Sequence, residues 1–169
     1  MGTKPNEISG RSRSATPLEI GARAPKVRGV TQRGAEFSFE SLGVPTLVAF
    51  MPAGFSPVCG GELDDLSLIA ERADEDGVQV LVVTCDSVAV LAAWLAASNT
   101  HPSIVAVSDF WPHGEIARAF GAFDERHGIA MRTSFAIDAE GVIRDSLVSR
   151  QGEPRTTAQH ARLLRALTR

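Results

Sequence analysis

Cysteine is scarce in this chain: Cys59 and Cys85 are the only two in 169 residues. A scaffold stapled by disulfides is excluded at that length, and so few thiols point to a reducing cytoplasm. No Cys-x-x-Cys occurs; Ser56 stands three residues before Cys59 and Glu62 three after, so a dithiol–disulfide exchanger lacks its motif. Neither sign of charge dominates, with 17 basic residues against 20 acidic ones and a net charge of −3. That balance excludes an extended polyanion such as nucleic acid as partner. No apolar run approaches the roughly 18–20 residues of a helical membrane span. Residues 1–16 (MGTKPNEISGRSRSAT) are polar and without the apolar centre of a secretory signal. They read as a mobile tail outside the fold. His101, His113, His127 and His160 show no ligand spacing, so neither a metal nor another cofactor is expected.

What remains is the composition of one ordinary globular domain, 44% hydrophobic and 22% charged, expected over residues 17–169. Gln32-Arg-Gly34 can turn a hairpin between Val27–Val30 and Glu36–Phe39. Val44–Phe50 reads as a central strand, its Pro45 near the start where a missing donor is tolerated. Leu63, Leu66, Ile69, Ala70 and Ala73 recur at helical spacing after Ser56. The nearly unbroken β-branched run Val78–Thr84 predicts a strand buried on both faces, as in a parallel sheet. A helix over Ser87–Ser98, a strand over Ile104–Val107 and a helix over about His113–Phe120 follow. Ser134–Asp138 and Val142–Leu147 form a hairpin around Ala139-Glu-Gly141, and Thr157–Leu167 is a last helix with Ala161, Leu164 and Leu167 on one face. This βαβαβαββα order predicts an α/β domain with a mixed sheet flanked by helices, a thioredoxin-like fold with an N-terminal β-hairpin addition.

The chemistry concentrates in Pro52-Ala-Gly-Phe-Ser-Pro-Val-Cys59. Here a buried strand ends in a Pro/Gly turn, and Ser56-Pro57 opens a helix as N-cap and first residue. Cys59 then sits in the first helical turn, where free backbone N–H groups and the helix dipole favour the thiolate, the nucleophilic form. The Ser56 hydroxyl lies one turn before the sulfur, able to bond the backbone or a ligand oxygen. Pro52, with no N–H, would pack over the site and help keep water out.

At these residues the chain resembles the peroxiredoxins, whose signature is Pro-x-x-x-Thr/Ser-x-x-Cys with a glutamate three residues on. Pro52, Ser56, Cys59 and Glu62 occupy the four places. Gly21-x-x-Ala-Pro25 is similar to the family's motif before its first core strand. Ser108-Asp-Phe-Trp-Pro-His-Gly114 and Ala119-Phe-Gly-Ala-Phe123 resemble the one-cysteine alkyl hydroperoxide reductase E branch of actinobacteria. Met131-Arg132-Thr-Ser-Phe-Ala-Ile-Asp138 fits the family's arginine-bearing segment.

The resemblance implies a thiol peroxidase acting on hydrogen peroxide, organic hydroperoxides and peroxynitrite. Cys59 would attack the terminal peroxide oxygen and become a sulfenic acid. Arg132 would stabilise the thiolate and the charge building on the leaving oxygen, with Glu62 holding its guanidinium. Regeneration by mycothiol with a mycoredoxin-like partner, or by thioredoxin, is implied, as is a homodimer or higher homo-oligomer; Phe55, Phe110 and Trp111 read equally as simple core or, as the resemblance implies, as loops of its edge.

Three features qualify the match. Serine replaces the commoner threonine at 56 and loses the methyl that fixes its rotamer. Gly60 and Gly61 weaken the first turn by about 1 kcal/mol each relative to alanine, which would ease the local unwinding the family uses to expose its oxidised sulfur. No cysteine lies near the C-terminus for a two-cysteine mechanism with a C-terminal arm. Cys85, at the end of the sheet that also carries Cys59, reads as a buried strand-end residue; the alternative is a resolving cysteine in an atypical two-cysteine peroxidase. A non-enzymatic thiol redox sensor is the remaining reading.

Overall fold

The structure, a computed structural model, describes residues 15–150 and 152–168. The tail expected over residues 1–16 therefore lies almost wholly outside the described residues. At its end, Thr16 already packs on the fold, its carbonyl oxygen 2.0 Å from where a Cβ on Gly121 would stand.

Strands β1 (Arg28–Thr31) and β2 (Glu36–Ser38) pair antiparallel around the turn at Gly34, whose φ of +78° suits glycine. β3 (Thr46–Phe50) is buried along its whole length. Helix α1 (Pro57–Glu75) returns the chain to β4 (Gln79–Thr84), and α2 (Val88–Ala97) leads to β5 (Ile104–Ser108). Both crossovers make parallel pairs, with Thr46 opposite Gln79 and Val80 opposite Ile104. After α3 (Glu115–Ala119) come two very short strands, β6 (Phe123–Asp124) and β7 (Ile129–Ala130), paired only with each other. β8 (Thr133–Ile137) then lies antiparallel to β3, β9 (Ile143–Val148) closes that edge, and α4 (Thr157–Leu167) ends the fold. The seven-stranded order is β2-β1-β5-β4-β3-β8-β9, a mixed sheet parallel at its centre and antiparallel at both edges.

Strand periodicity sorts the core into two layers. Leu47, Ala49, Met51, Val80 and Val82 face α1, α2 and α4 and share their cluster with Cys59. Val48, Phe50, Leu81, Val83 and Cys85 face the other way, toward Phe120 and α3. There Phe120 meets the rings of Phe39, Phe50 and Phe135 with centroids 5.3, 5.2 and 5.3 Å away.

Three expectations need adjustment. The β6–β7 hairpin was absent from the sequence reading. α3 starts at Glu115 rather than His113, because Asp109 accepts from the N–H groups of Ile116 (2.8 Å) and Ala117 (2.9 Å) and fixes the first turn there. On α4 the fully packed stripe is His160, Leu163 and Leu164, while Ala161 and Leu167 pack at its margin. Among the described residues no helix is long and apolar enough to cross a membrane.

Candidate active site

Cys59 owes its place to the loop between β3 and α1. Pro57 occupies the first turn of α1, and the Ser56 side chain accepts from the Cys59 N–H at 3.3 Å. The hydroxyl thus takes one of the donors a helix start leaves free. Two further contacts tie the loop to the end of β4. The Met51 N–H donates to the Val83 carbonyl at 2.9 Å, and the Gly54 N–H donates to Asp86 Oδ2 at 2.7 Å. Asp86 is itself held by the Thr84 hydroxyl at 2.7 Å. Gly54 also rests on the Trp94 ring, where a Cβ would stand 3.2 Å from the nearest ring carbon. Phe55 completes the turn at φ +61°, a left-handed conformation uncommon for a bulky residue. Cys59 is fully buried.

Glu62 follows Cys59 by one helical turn, on the same face of α1, and is also fully buried. It forms an ion pair with Arg132 NH1. A second guanidinium, Arg155, donates to it from Nε at 2.8 Å and from NH2 at 3.1 Å, and the Arg155 main-chain N–H adds a contact of 2.8 Å. Burial alone would raise the Glu62 carboxyl, but the Arg155 hydrogen bonds and charge, helped by Arg132, hold it below the ordinary value. Arg155 also donates to the Phe50 carbonyl and the Ser134 hydroxyl, each at 2.8 Å. His160 Nε2 meets that hydroxyl at 3.1 Å. Two guanidiniums against one carboxylate leave this buried cluster with one uncompensated positive charge.

Arg132 stands just before β8, its carbonyl accepting from the Ser149 N–H at 2.9 Å. Its side chain is 5% exposed, and its Nε–H has no partner among the described residues. It borders a pocket of ≈ 220 Å³ together with Pro52, Ile129, Ala130, Met131, Asp124 and Ser149. Pro52, Ser56, Cys59, Glu62 and Arg132, named from the sequence, thus fall on the β3–α1 segment and the start of β8. Cys85 belongs to the opposite layer. Both thiols are free, and burial, with the Asp109 charge beside it, pushes the Cys85 thiol up to about 12.

Sequence reasoning missed Arg155, Ser134, His160 and Asp86. The first three make up the polar core behind Glu62, and the fourth anchors the loop. None of the four carries a local signal of its role; Arg155, an arginine after Pro154 at the mouth of a helix, reads from its charge as a surface residue.

Residues 20–146 match the AhpC/TSA family. The chain belongs to that family. It is 32% identical over 154 residues to the alkyl hydroperoxide reductase E of Mycobacterium tuberculosis, covering 89% of this chain and 99% of that protein. Among solved structures, Enterococcus faecalis AhpC superposes with a TM-score of 0.78 at 31% identity, over 87% of this chain and 90% of that one. The peroxidoxin BcpB of Mycobacterium tuberculosis shares the fold, with a TM-score of 0.76 at 21% identity over 88% and 96% of the two chains. The thioredoxin-like architecture is therefore that of the peroxiredoxins, and the chain is an enzyme of this type.

Proposed function

We propose that this peroxiredoxin reduces hydrogen peroxide, organic hydroperoxides and peroxynitrite through a sulfenic acid on Cys59. One observation carries the reading: the buried thiol and Glu62 lie one turn apart on α1, and Glu62 binds Arg132 at the edge of the pocket. Glu62 thereby joins the helical turn that carries the thiol to the Arg132 guanidinium. The cluster's uncompensated positive charge suits a thiolate, and the free Arg132 Nε–H is a donor ready for a peroxide oxygen.

In the first step the Cys59 thiolate forms a bond to the terminal oxygen while the O–O bond breaks. Sulfur is oxidised to the sulfenic acid, and the departing oxyanion is stabilised by Arg132; an alkoxide or hydroxide takes up a proton to leave as alcohol or water, and peroxynitrite releases nitrite. An external thiol then forms a mixed disulfide with Cys59 and releases water, and a second thiol restores the free cysteine. Mycothiol with a mycoredoxin-like protein, or thioredoxin, is the proposed reductant class, and the cytoplasm the proposed compartment. Exposed Phe55, Phe110, Trp111 and Val30 suit the proposed edge of a homodimer or higher homo-oligomer.

The resolving role for Cys85 is disfavoured by its place in the opposite core layer and its raised thiol. Intact mass spectrometry after one equivalent of hydrogen peroxide tests the whole reading. The expected product carries one added oxygen on Cys59, whereas a loss of two hydrogens would mark an internal disulfide. A folded Cys59→Ser protein that still reduced peroxide at the parental rate would overturn it.

A further inference from the structure

The polar core behind Glu62 ends in a histidine for which the peroxide chemistry has no evident use. Ser134 and His160 are both fully buried. The Ser134 oxygen receives a hydrogen from Arg155 NH1, 2.8 Å away, and an arginine side chain can only donate. The hydroxyl hydrogen is left free for another acceptor, and His160 Nε2 at 3.1 Å is within reach of it. With Nε2 as the acceptor the ring proton lies on Nδ1, which has no partner among the described residues.

We propose that neutral His160 is a positioning residue, whose Nε2 orients the Ser134 hydroxyl and thereby fixes the Arg155–Glu62–Arg132 chain that aims Arg132 at the peroxide. The inference rests on the reading of Cys59 and Arg132 as the reacting thiol and its stabilising cation. Arg155 grips both carboxylate oxygens of Glu62 and also reaches Ser134 and the Phe50 carbonyl, so a Ser134 rotated away would leave a buried guanidinium N–H unpaired. Glu62 would then settle differently between its two arginines, and Arg132 would move with it. Small displacements of a group that stabilises developing charge are costly in rate.

The neutral state of His160 has an independent cause. Burial, and then the Arg155 charge, bring it down to about 4, with Glu62 opposing. Protonation would add a second uncompensated cation to the cluster and would reverse the hydrogen bond to Ser134.

The test follows the first oxidation of Cys59 by rapid quench and intact mass in four folded variants: His160→Leu, His160→Gln, Ser134→Ala and the Ser134→Ala/His160→Leu double. His160→Leu is expected to slow oxidation about tenfold. In His160→Gln the amide oxygen can accept from Ser134, and the rate is expected to recover to within about threefold of the parent. The double variant should be no slower than Ser134→Ala, because both remove the same link. A parental rate in His160→Leu, a glutamine no faster than leucine, or multiplicative losses in the double would each overturn the proposal. Should leucine prevent folding, Ser134→Ala decides alone, since a parental rate there removes the link from the mechanism. A parent that failed to oxidise at Cys59 would instead bring down the underlying reading of the site, and this inference with it.

Discussion

Glu62 and Arg155 stand 93 positions apart in the chain and are joined by three hydrogen bonds, one of them from the Arg155 main-chain N–H. The carboxylate thereby fastens α1 to the segment that opens α4 while it pairs with Arg132. Replacing it with glutamine leaves two buried guanidiniums without a counter-charge. Glu62→Gln is expected to lose about 3–5 kcal/mol of stability, the usual cost of breaking a buried ion pair from one side. Urea titration measures this, and a loss under about 1 kcal/mol would show that the cluster tolerates its charge unaided.

Arg132→Lys keeps the charge and gives up the planar fork. The Cys59 oxidation rate should drop about tenfold for each 1.4 kcal/mol of lost transition-state stabilisation. Quenched-flow mass analysis reads it directly. An unchanged rate would place Arg132 outside the reaction.

Gly60 and Gly61 lie inside α1 with no atom within 4 Å of an added Cβ. Alanine at both positions should therefore stabilise the helix by about 1 kcal/mol per site. If the first turn must loosen to present the oxidised sulfur to a bulky thiol, the double alanine variant should recycle more slowly while its first oxidation holds. Recycling at parental speed would remove unwinding of this turn from the cycle.

Cys85→Ser should leave both oxidation and multiple turnover with a small thiol unchanged. Loss of turnover with the first oxidation retained would make Cys85 the resolving residue after all. Steady-state peroxide consumption separates the two outcomes.

Acid stability should carry the mark of His160. Its folded value is lowered from 6.5 to about 4, so between those limits the unfolded chain binds a proton that the native one refuses. The contribution is complete above pH 6.5 and is lost as pH falls toward about 4. Asp109 works in the opposite sense. Burial raises it from 3.8 to about 6, so its contribution is complete below pH 3.8 and is lost as pH rises toward 6. Comparing the pH dependence of unfolding in the parent and in His160→Gln isolates the histidine part. Parallel curves from pH 7 to 4 would contradict the assignment.

Local chemistry made much of this protein legible in its sequence. Ser56-Pro57 marked the start of α1, whereas the unbroken apolar run Val78–Thr84 carries no polar face to show which layer Cys85 joins, and β4 places it away from Cys59. α4 was predicted at its observed bounds, Thr157–Leu167. The two-residue strands β6 and β7 are shorter than any period can reveal. Arg155 was illegible for a different reason. Its burial depends on partners at Phe50, Glu62 and Ser134, and no pattern around residue 155 records acceptors contributed by three distant segments. His160 likewise looks like a polar interruption on α4 until β8 brings the Ser134 hydroxyl beneath it.

The loop that carries Cys59 rests through Gly54 on Trp94, a buried ring, while Trp111 is 84% exposed on another loop. The two tryptophans therefore divide the optical signal between them. Under the proposed function, rearrangement at an oxidised Cys59 would disturb the emission of the inner indole, and burial of the outer one against a second subunit would shift its emission to the blue. Replacing either with phenylalanine leaves a single-channel reporter, so fluorescence from one pair of variants can time redox change and assembly separately.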